Sequence, residues 1–225
     1  MVLNIVRERI KMKKLLSINP LFLTLTLVLS PSLQAEVFPT DAAIPPAAKS
    51  CVRCHEANGD TGAFTMPRIS FLSKKYLLKE LKDFRGKLRI EDQSLDFMLD
   101  YTLQLSDSDI DVIAAYFTSR TWDDSSYAWG PVDLIAKGKK YYENGIPEKN
   151  VDSCTDCHGD DGEGGKGPRL ADQHTDYLNY QFAAFKHDTR KNSTYMTQVA
   201  KQLSEEEVNC ISVYLESINT SAQVK

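Results

Sequence analysis

Two five-residue motifs place a cysteine pair beside a histidine. They are CVRCH, residues 51–55, and CTDCH, residues 154–158. Two thiols two residues apart on a helical turn can each add to one vinyl group of a haem, and the adjacent histidine can then bind the iron. The motifs therefore predict two covalently bound haem c groups, attached through Cys51, Cys54, Cys154 and Cys157, with His55 and His158 as iron ligands.

Three other uses of these cysteines fit the sequence less well. A zinc site needs four ligands, and each motif supplies three with no fixed fourth. A thioredoxin-like dithiol belongs in a βαβ context, for which the chain shows no strands. Disulfides would leave the paired histidines unexplained. The fifth cysteine, Cys210, aligns with Val112 on the last helix of each copy, so we expect a buried free thiol there.

The chain repeats itself around the two motifs. Residues 66–89 align with 167–190 without a gap, and residues 98–119 align with 196–217. Each copy, of about 95 residues, is short for a stable core without a crosslink, and a covalent haem would supply one.

Each copy has the pattern of a helical domain. Ser106 with Asp109, and Ser204 with Glu207, predict capping boxes that open the final helices. Apolar residues at helical spacing follow them, and no alternation predicts strands. We predict an all-α fold of two tandem domains, each a few short helices around a covalent haem. The predicted ranges are a signal peptide at 1–35, domains at 36–120 and 132–225, and a linker at 121–131 flanked by Trp122 and Trp129, which we expect to pack between the domains.

The N-terminus and the charge of the chain indicate export. A basic segment, an apolar run from Leu21 to Leu29 and a small-residue site ending at Ala35 predict a cleaved signal peptide and a periplasmic protein; an uncleaved anchor is the alternative. The chain has 27 basic and 31 acidic side chains. Residues 1–35 contain five of the basic side chains and one of the acidic ones. The acidic mature chain has no basic block for nucleic acid and no later apolar run that could span a bilayer.

The sixth iron ligand is predicted from the repeat. Met98 and Met196 align, and six residues separate each of them from the Leu-Ser pair that opens a final helix. Met66 aligns with Gly167, so we interpret Met66 as a packing residue. Methionine opposite histidine closes the iron to substrates and suits electron transfer.

These features together resemble the two-domain, dihaem class I cytochromes c of the cytochrome c4 type. The resemblance is carried by both motifs, by CHGDDGEGGKGPRLADQHTDYL and by the two methionine segments ending in AAYF and SVYL. It implies a periplasmic carrier with two His/Met haems and no substrate chemistry of its own. It also implies that the carbonyls of Pro67 and Pro168 hold the iron-binding histidines.

The resemblance further implies protein redox partners. These would be a respiratory donor and a terminal oxidase, or the larger subunit of a flavin or quinoprotein dehydrogenase; a dihaem peroxidase is a weaker alternative because it needs an open iron.

Several other polar residues have less specific signals. Arg68 aligns with Arg169, and Arg89 with Arg190, so they are candidate contacts of haem propionates or ordinary surface arginines. His174 and His187 have no counterparts, and we expect them at the surface or between the domains.

Overall fold

The computed structural model describes residues 43–92, 97–120 and 130–218, and it is built from helices. Within these ranges no β-strand forms; isolated antiparallel bridges join Arg89 to Arg190 and Ile146 to Val151. The all-α prediction is confirmed. The predicted signal peptide, both tryptophans and most of the predicted linker lie outside the described residues, and the domain boundaries stay predictions.

The two copies place their helices in the same order. The first contains α1 (Val52–His55), α2 (Lys74–Arg85), α3 (Leu99–Leu103) and α4 (Asp107–Thr118). The second contains α5 (Val132–Asn144), α6 (Thr155–His158), α7 (Thr175–Lys186), α8 (Thr194–Gln202) and α9 (Glu205–Glu216).

The final helix of each copy begins at the predicted capping box. The hydroxyls of Ser106 and Ser204 accept the amide N–H of Asp109 and Glu207, whose carboxylates accept the serine N–H groups in return. This reciprocal pairing satisfies amide groups that have no partner inside the helix. The sequence prediction of both helix starts is confirmed.

Each copy has its own apolar core. In the first, Leu77 and Leu81 of α2 pack with Ile110, Ile113 and Phe117 of α4. In the second, the buried residues come from α5, α7 and α9 and from the loops beside them, and they include Tyr142, Ile146, Leu178, Ile211 and Leu215. Burying a side chain of this size contributes about 1.5–3 kcal/mol, so each core is a substantial part of its domain's stability.

The copies differ at their N-terminal sides. Among the described residues, the first copy has a 3₁₀ turn at Pro46–Ala48, and the second has the 13-residue helix α5. Helix α5 packs closely on α9 at Gly138, where an added Cβ would lie 1.9 Å from the carbonyl oxygen of Cys210. Cys210 is fully buried at this crossing, as predicted.

The two copies exchange backbone hydrogen bonds. The N–H of Ile90 donates to the carbonyl of Thr189 at 3.0 Å, and the N–H of Lys191 donates to the carbonyl of Leu88 at 2.9 Å. Residue 90 aligns with 191 and residue 88 with 189. The exchange is therefore symmetric, and it brings the aligned residues Arg89 and Arg190 face to face.

Candidate haem sites

One-turn helices present the cysteines and histidines of both motifs. The N–H of His55 donates to the carbonyl of Cys51, and that of His158 to the carbonyl of Cys154, both at 2.9 Å. None of the five cysteines, all within the described residues, forms a disulfide. Burial raises the pKa of the thiols of Cys51 and Cys154 to about 11. Burial thus favours the neutral thiol over the thiolate at these two cysteines.

Both motif histidines bond to a proline carbonyl. Nδ1 of His55 lies 3.1 Å from the carbonyl oxygen of Pro67, and Nδ1 of His158 lies 2.8 Å from that of Pro168. A carbonyl oxygen can only accept, so Nδ1 carries the hydrogen in each ring. Burial lowers the pKa of both imidazoles, against a smaller opposing effect of the carbonyl. Each ring is therefore neutral and has a free lone pair on Nε2, the form that binds iron.

The residue before each proline lies beside the histidine. A Cβ added to Gly167 would come within 2.7 Å of Cε1 of His158. Met66 occupies the aligned site in the first copy and is half-buried. Because Pro67 and Pro168 make the same hydrogen bond, this alignment places Met66 beside His55.

Met98 and Met196 are held in different local structures. Met98 is the residue before α3, is half-buried and packs against the first core. Its carbonyl accepts the hydroxyl of Thr102 at 2.9 Å. Met196 lies in the first turn of α8, where its N–H donates to the hydroxyl of Ser193 at 3.3 Å. Met98 thus lies at the start of α3 and Met196 at the start of α8, the helix that precedes the final helix of each copy.

A tyrosine fixes the backbone just beyond each motif. The hydroxyl of Tyr116, on α4, donates to the carbonyl of Ala57, and the hydroxyl of Tyr142, on α5, donates to the carbonyl of Gly159, both at 2.7 Å. The two tyrosines come from helices that are not aligned in the repeat. Sequence comparison of the two copies therefore could not pair them.

The four candidate propionate arginines have different surroundings. Arg89 and Arg190 are buried and bond to side chains of both copies. Arg68 forms ion pairs with Asp60, at 2.7 Å, and with Asp172, at 2.5 Å. Arg169 differs, because its Nε and Nη2 atoms are buried and have no hydrogen-bond partner among the described residues. Two buried N–H groups without an acceptor fit a site completed by a carboxylate group, such as a haem propionate.

A polar cluster that the sequence did not predict joins the two copies. The Glu80 carboxylate accepts Arg89 Nη1 at 2.9 Å, Arg190 Nη2 at 2.8 Å and Asn192 Nδ2 at 2.9 Å. Gln181, which aligns with Glu80, accepts both arginines in turn. Burial alone would raise the pKa of Glu80, but Arg190, Arg89 and Lys79 outweigh it and hold that pKa below its ordinary value. The sequence signal for this cluster was that Glu80 and Gln181 align and that each lies on a mostly apolar helix face.

The two histidines without counterparts have different positions. His187 ends α7 and is exposed, as expected. His174 is buried between the copies, where Nε2 donates to the carbonyl of Thr61 at 2.7 Å and Nδ1 lies 3.3 Å from the carboxylate of Glu216. The Phe64 ring packs edge-on against it at 5.3 Å. His174 thus ties the loop that follows the first motif to the second copy.

Comparison with known proteins identifies the class. The family model described as cytochrome c matches the chain twice, at residues 46–121 and 135–219. The chain belongs to the cytochrome c family, as a two-domain member of the cytochrome c4 type. Covalent haem c is therefore its cofactor, and it is a dihaem electron-transfer cytochrome.

Individual relatives support this assignment. The chain is 30% identical to the cytochrome c4 of Pseudomonas aeruginosa over 208 residues, covering 89% of this chain and all of the relative. It is 30% identical to a thiosulfate dehydrogenase electron acceptor of Stutzerimonas stutzeri, covering 77% of this chain and 81% of that one. The solved cytochrome c4 of Acidithiobacillus ferrooxidans superposes with a TM-score of 0.68 at 29% identity, covering 75% of this chain and 99% of its own.

Proposed function

We propose that the chain is a periplasmic electron carrier in which His55 and Met98 bind one haem iron and His158 and Met196 bind the other. Cys51, Cys54, Cys154 and Cys157 form the thioether bonds. A haem iron with both axial positions filled takes up and releases single electrons without binding a substrate. The mature protein would extend from about residue 36, in domains 36–120 and 132–225.

The observation that carries the proposal is the repeated hydrogen bond between a motif histidine and a proline carbonyl. Pro67 and Pro168 orient the rings of His55 and His158 and keep the hydrogen on Nδ1. A fixed, neutral ring needs little rearrangement when the charge of the iron changes, which suits rapid electron transfer. The same arrangement occurs in both copies, so it supports two sites of the same kind.

Substitution of the three methionines tests the ligand assignment. The oxidised protein should show the red-region charge-transfer band of His/Met haem. Met98→Leu and Met196→Leu should each remove about half of this band, because each would remove the sixth ligand of one iron. Met66→Leu is the matched control and should leave the band unchanged. A band that Met66→Leu weakens and Met98→Leu leaves intact would overturn the assignment.

We propose that the free carrier exchanges electrons with protein partners of a respiratory chain. The acidic mature chain would meet a basic surface on a donor or on a terminal oxidase, with peripheral attachment at the membrane. Within the described ranges, no helix is both long and apolar enough to cross a membrane. Electron transfer to an isolated oxidase should then slow steeply as salt is added, and a salt-independent rate would argue against a charged docking surface.

A second candidate is the electron-accepting subunit of a dehydrogenase. The relative named as a thiosulfate dehydrogenase electron acceptor favours this possibility. Purification of the native protein under mild conditions distinguishes the two. A stoichiometric large subunit that reduces both haems when its substrate is added supports the subunit role. A protein that purifies alone and accepts electrons from several donors supports the free carrier.

A further inference from the structure

Each copy has a methionine segment, which extends from the residue before the methionine to the leucine before the capping box: residues 97–105 and 195–203. The two segments are fastened alike at their C-terminal ends. Arg85 Nη1 donates to the carbonyl of Leu105 at 2.8 Å, and Lys186 Nζ donates to the carbonyl of Leu203, also at 2.8 Å. The two bonds join aligned residues. They hold the end of each segment on the preceding helix, α2 or α7.

The N-terminal end of the second methionine segment is held by two side chains. Ser193 caps α8, and its hydroxyl accepts the N–H of Met196 at 3.3 Å. The hydroxyl of Tyr195 donates to the carboxylate of Asp152 at 3.2 Å. Asp152 lies two residues before Cys154. The bond between Tyr195 and Asp152 therefore links the residue beside one proposed iron ligand to the loop that carries a haem-binding cysteine.

The loop that contains Asp152 is itself fixed to the rest of the second copy. The N–H of Ile146 donates to the carbonyl of Val151 at 2.8 Å, and the N–H of Val151 donates back to the carbonyl of Ile146 at 3.2 Å. On the other side of Asp152, the N–H of Cys154 donates to the carbonyl of Tyr142, on α5, at 2.9 Å. The Asp152 carboxylate is therefore attached to a backbone that is held on both sides.

The first copy has no equivalent of the bond between Tyr195 and Asp152. Phe97 precedes Met98 as Tyr195 precedes Met196, and its exposed ring has no hydroxyl to donate. Lys49 lies two residues before the first motif, where the second copy has Asp152. Neither the donor nor the acceptor of this bond is thus present in the first copy.

The helices that carry the two methionines also begin differently. Leu95 lies three residues before Met98, where the second copy has Ser193, and leucine has no side-chain oxygen that could cap a helix. Helix α3 has five residues and α8 has nine. The two methionine segments are therefore held alike at their C-terminal ends, and at the methionine end the second is held more firmly than the first.

We propose that Tyr195 is a positioning residue, whose hydrogen bond to Asp152 makes Met196 the harder of the two methionines to displace from haem iron. The inference rests on the proposed function, in which Met98 and Met196 are the sixth ligands. A methionine can leave the iron only if its segment moves, and each hydrogen bond broken by that movement raises the free energy of the displaced state. The first haem is then the one that admits small ligands, while the second stays closed to them.

Imidazole titration of the oxidised, haem-loaded protein tests this difference. Imidazole can replace methionine on oxidised iron, and loss of the hyperfine-shifted methyl resonance of each bound methionine reports the replacement. In the wild-type protein the Met98 resonance should disappear at a lower imidazole concentration than the Met196 resonance. Tyr195→Phe removes only the hydroxyl. It should lower the imidazole concentration that displaces Met196 by about fivefold, the effect of losing one exposed hydrogen bond, and should leave Met98 unchanged.

Two further variants test the partner of the hydroxyl. Asp152→Ala should have the same effect as Tyr195→Phe, and the double variant should have no larger effect than either change alone, because both changes break one bond. Phe97→Tyr is the matched control in the first copy, where the new hydroxyl finds no carboxylate, and it should leave the displacement of Met98 unchanged. Protection of Met98 by Phe97→Tyr would show that a hydroxyl acts without the carboxylate and would overturn the proposal.

The assignment of the resonances separates failure of this inference from failure of the proposed function. Met98→Leu and Met196→Leu should each remove one methyl resonance, and a variant that keeps both resonances would refute the ligand assignment itself. If both resonances are assigned, an unchanged Met196 displacement in Tyr195→Phe and Asp152→Ala would overturn the role of Tyr195 alone. Equal shifts at both haems would indicate general destabilisation and would overturn it as well.

Discussion

Replacing Glu80 by Gln tests whether the buried charge cluster joins the two copies. Glu80 accepts hydrogen bonds from Arg89 and Arg190, and its side chain is 8% exposed. The substitution keeps the shape and gives the first copy the residue that the second has at position 181. It removes the charge that both guanidinium groups share, so that Glu91 is left as the carboxylate bonded to Arg89.

The size of the effect follows from burial. Removing one partner of a buried ion pair costs about 3–5 kcal/mol, because the other charge stays buried without compensation. The Gln amide still offers one acceptor, so we expect a loss of about 3 kcal/mol in the free energy of unfolding. The pKa of Glu80 is lowered in the folded protein. Its stabilising effect is therefore present above the pKa of the unfolded chain and is lost as the pH falls toward the folded value.

Urea unfolding of the haem-loaded protein, followed by circular dichroism and haem absorbance, measures this loss. The difference between wild type and Glu80→Gln should be largest near neutral pH and should shrink below about pH 4. Asp111→Asn, which breaks the exposed pair with Lys74, is the control and should cost less than about 1 kcal/mol. An equal, small loss for both variants would refute the reasoning.

Three further substitutions probe strain, close packing and the interdomain histidine. Glu56 has φ +60° and ψ 169°, a region that suits glycine, so Glu56→Gly should raise the free energy of unfolding by about 1 kcal/mol in urea titrations. Gly138→Ala should lower the midpoint of the same titration and cost about 3 kcal/mol, because the new Cβ would meet the carbonyl of Cys210. His174→Ala should speed amide hydrogen exchange in residues 59–66, which lose the hydrogen bond to Thr61.

Each of these predictions has a control. Position 159 follows the second motif as position 56 follows the first, and it already holds glycine, with φ +84°. The reverse change there, Gly159→Glu, should therefore destabilise the protein. Gly62→Ala adds a Cβ with no atom within 4 Å and should be neutral. The exposed His187, changed to Ala, should leave hydrogen exchange in residues 59–66 unaltered. A neutral Gly138→Ala, or slower exchange in His174→Ala, would contradict the packing described above.

The sequence predicted the parts of the site that local rules and the repeat determine. The motif spacing predicted the two histidines, and the resemblance to the cytochromes c4 implied the role of Pro67 and Pro168, whose hydrogen bonds the structure shows. The capping boxes gave the starts of the final helices, because a serine and an acidic residue three positions apart satisfy each other locally. The motif spacing and the capping boxes depend on neighbours in the sequence, so a single chain reveals them.

Features that depend on contact between the copies were not predictable in the same way. Glu80 has the charge typical of a surface residue, but it is buried, and Arg190 of the second copy bonds to it there. The aligned arginines at 68 and 169 looked equivalent in the sequence. They differ in the structure because each takes its surroundings from the other copy, where Asp172 replaces Phe71.

The crossed hydrogen bonds between residues 88–90 and 189–191 are those of an isologous interface, in which the same patch is used by both partners. Two separate, identical chains could make such an interface only as a homodimer, and every substitution would then appear on both sides. Fusion into one polypeptide removes this constraint. Glu80 can face Gln181, and Phe71 can replace an aspartate on one side alone. The tandem chain can therefore give its two haems different surroundings, which a symmetric dimer of one gene product cannot do.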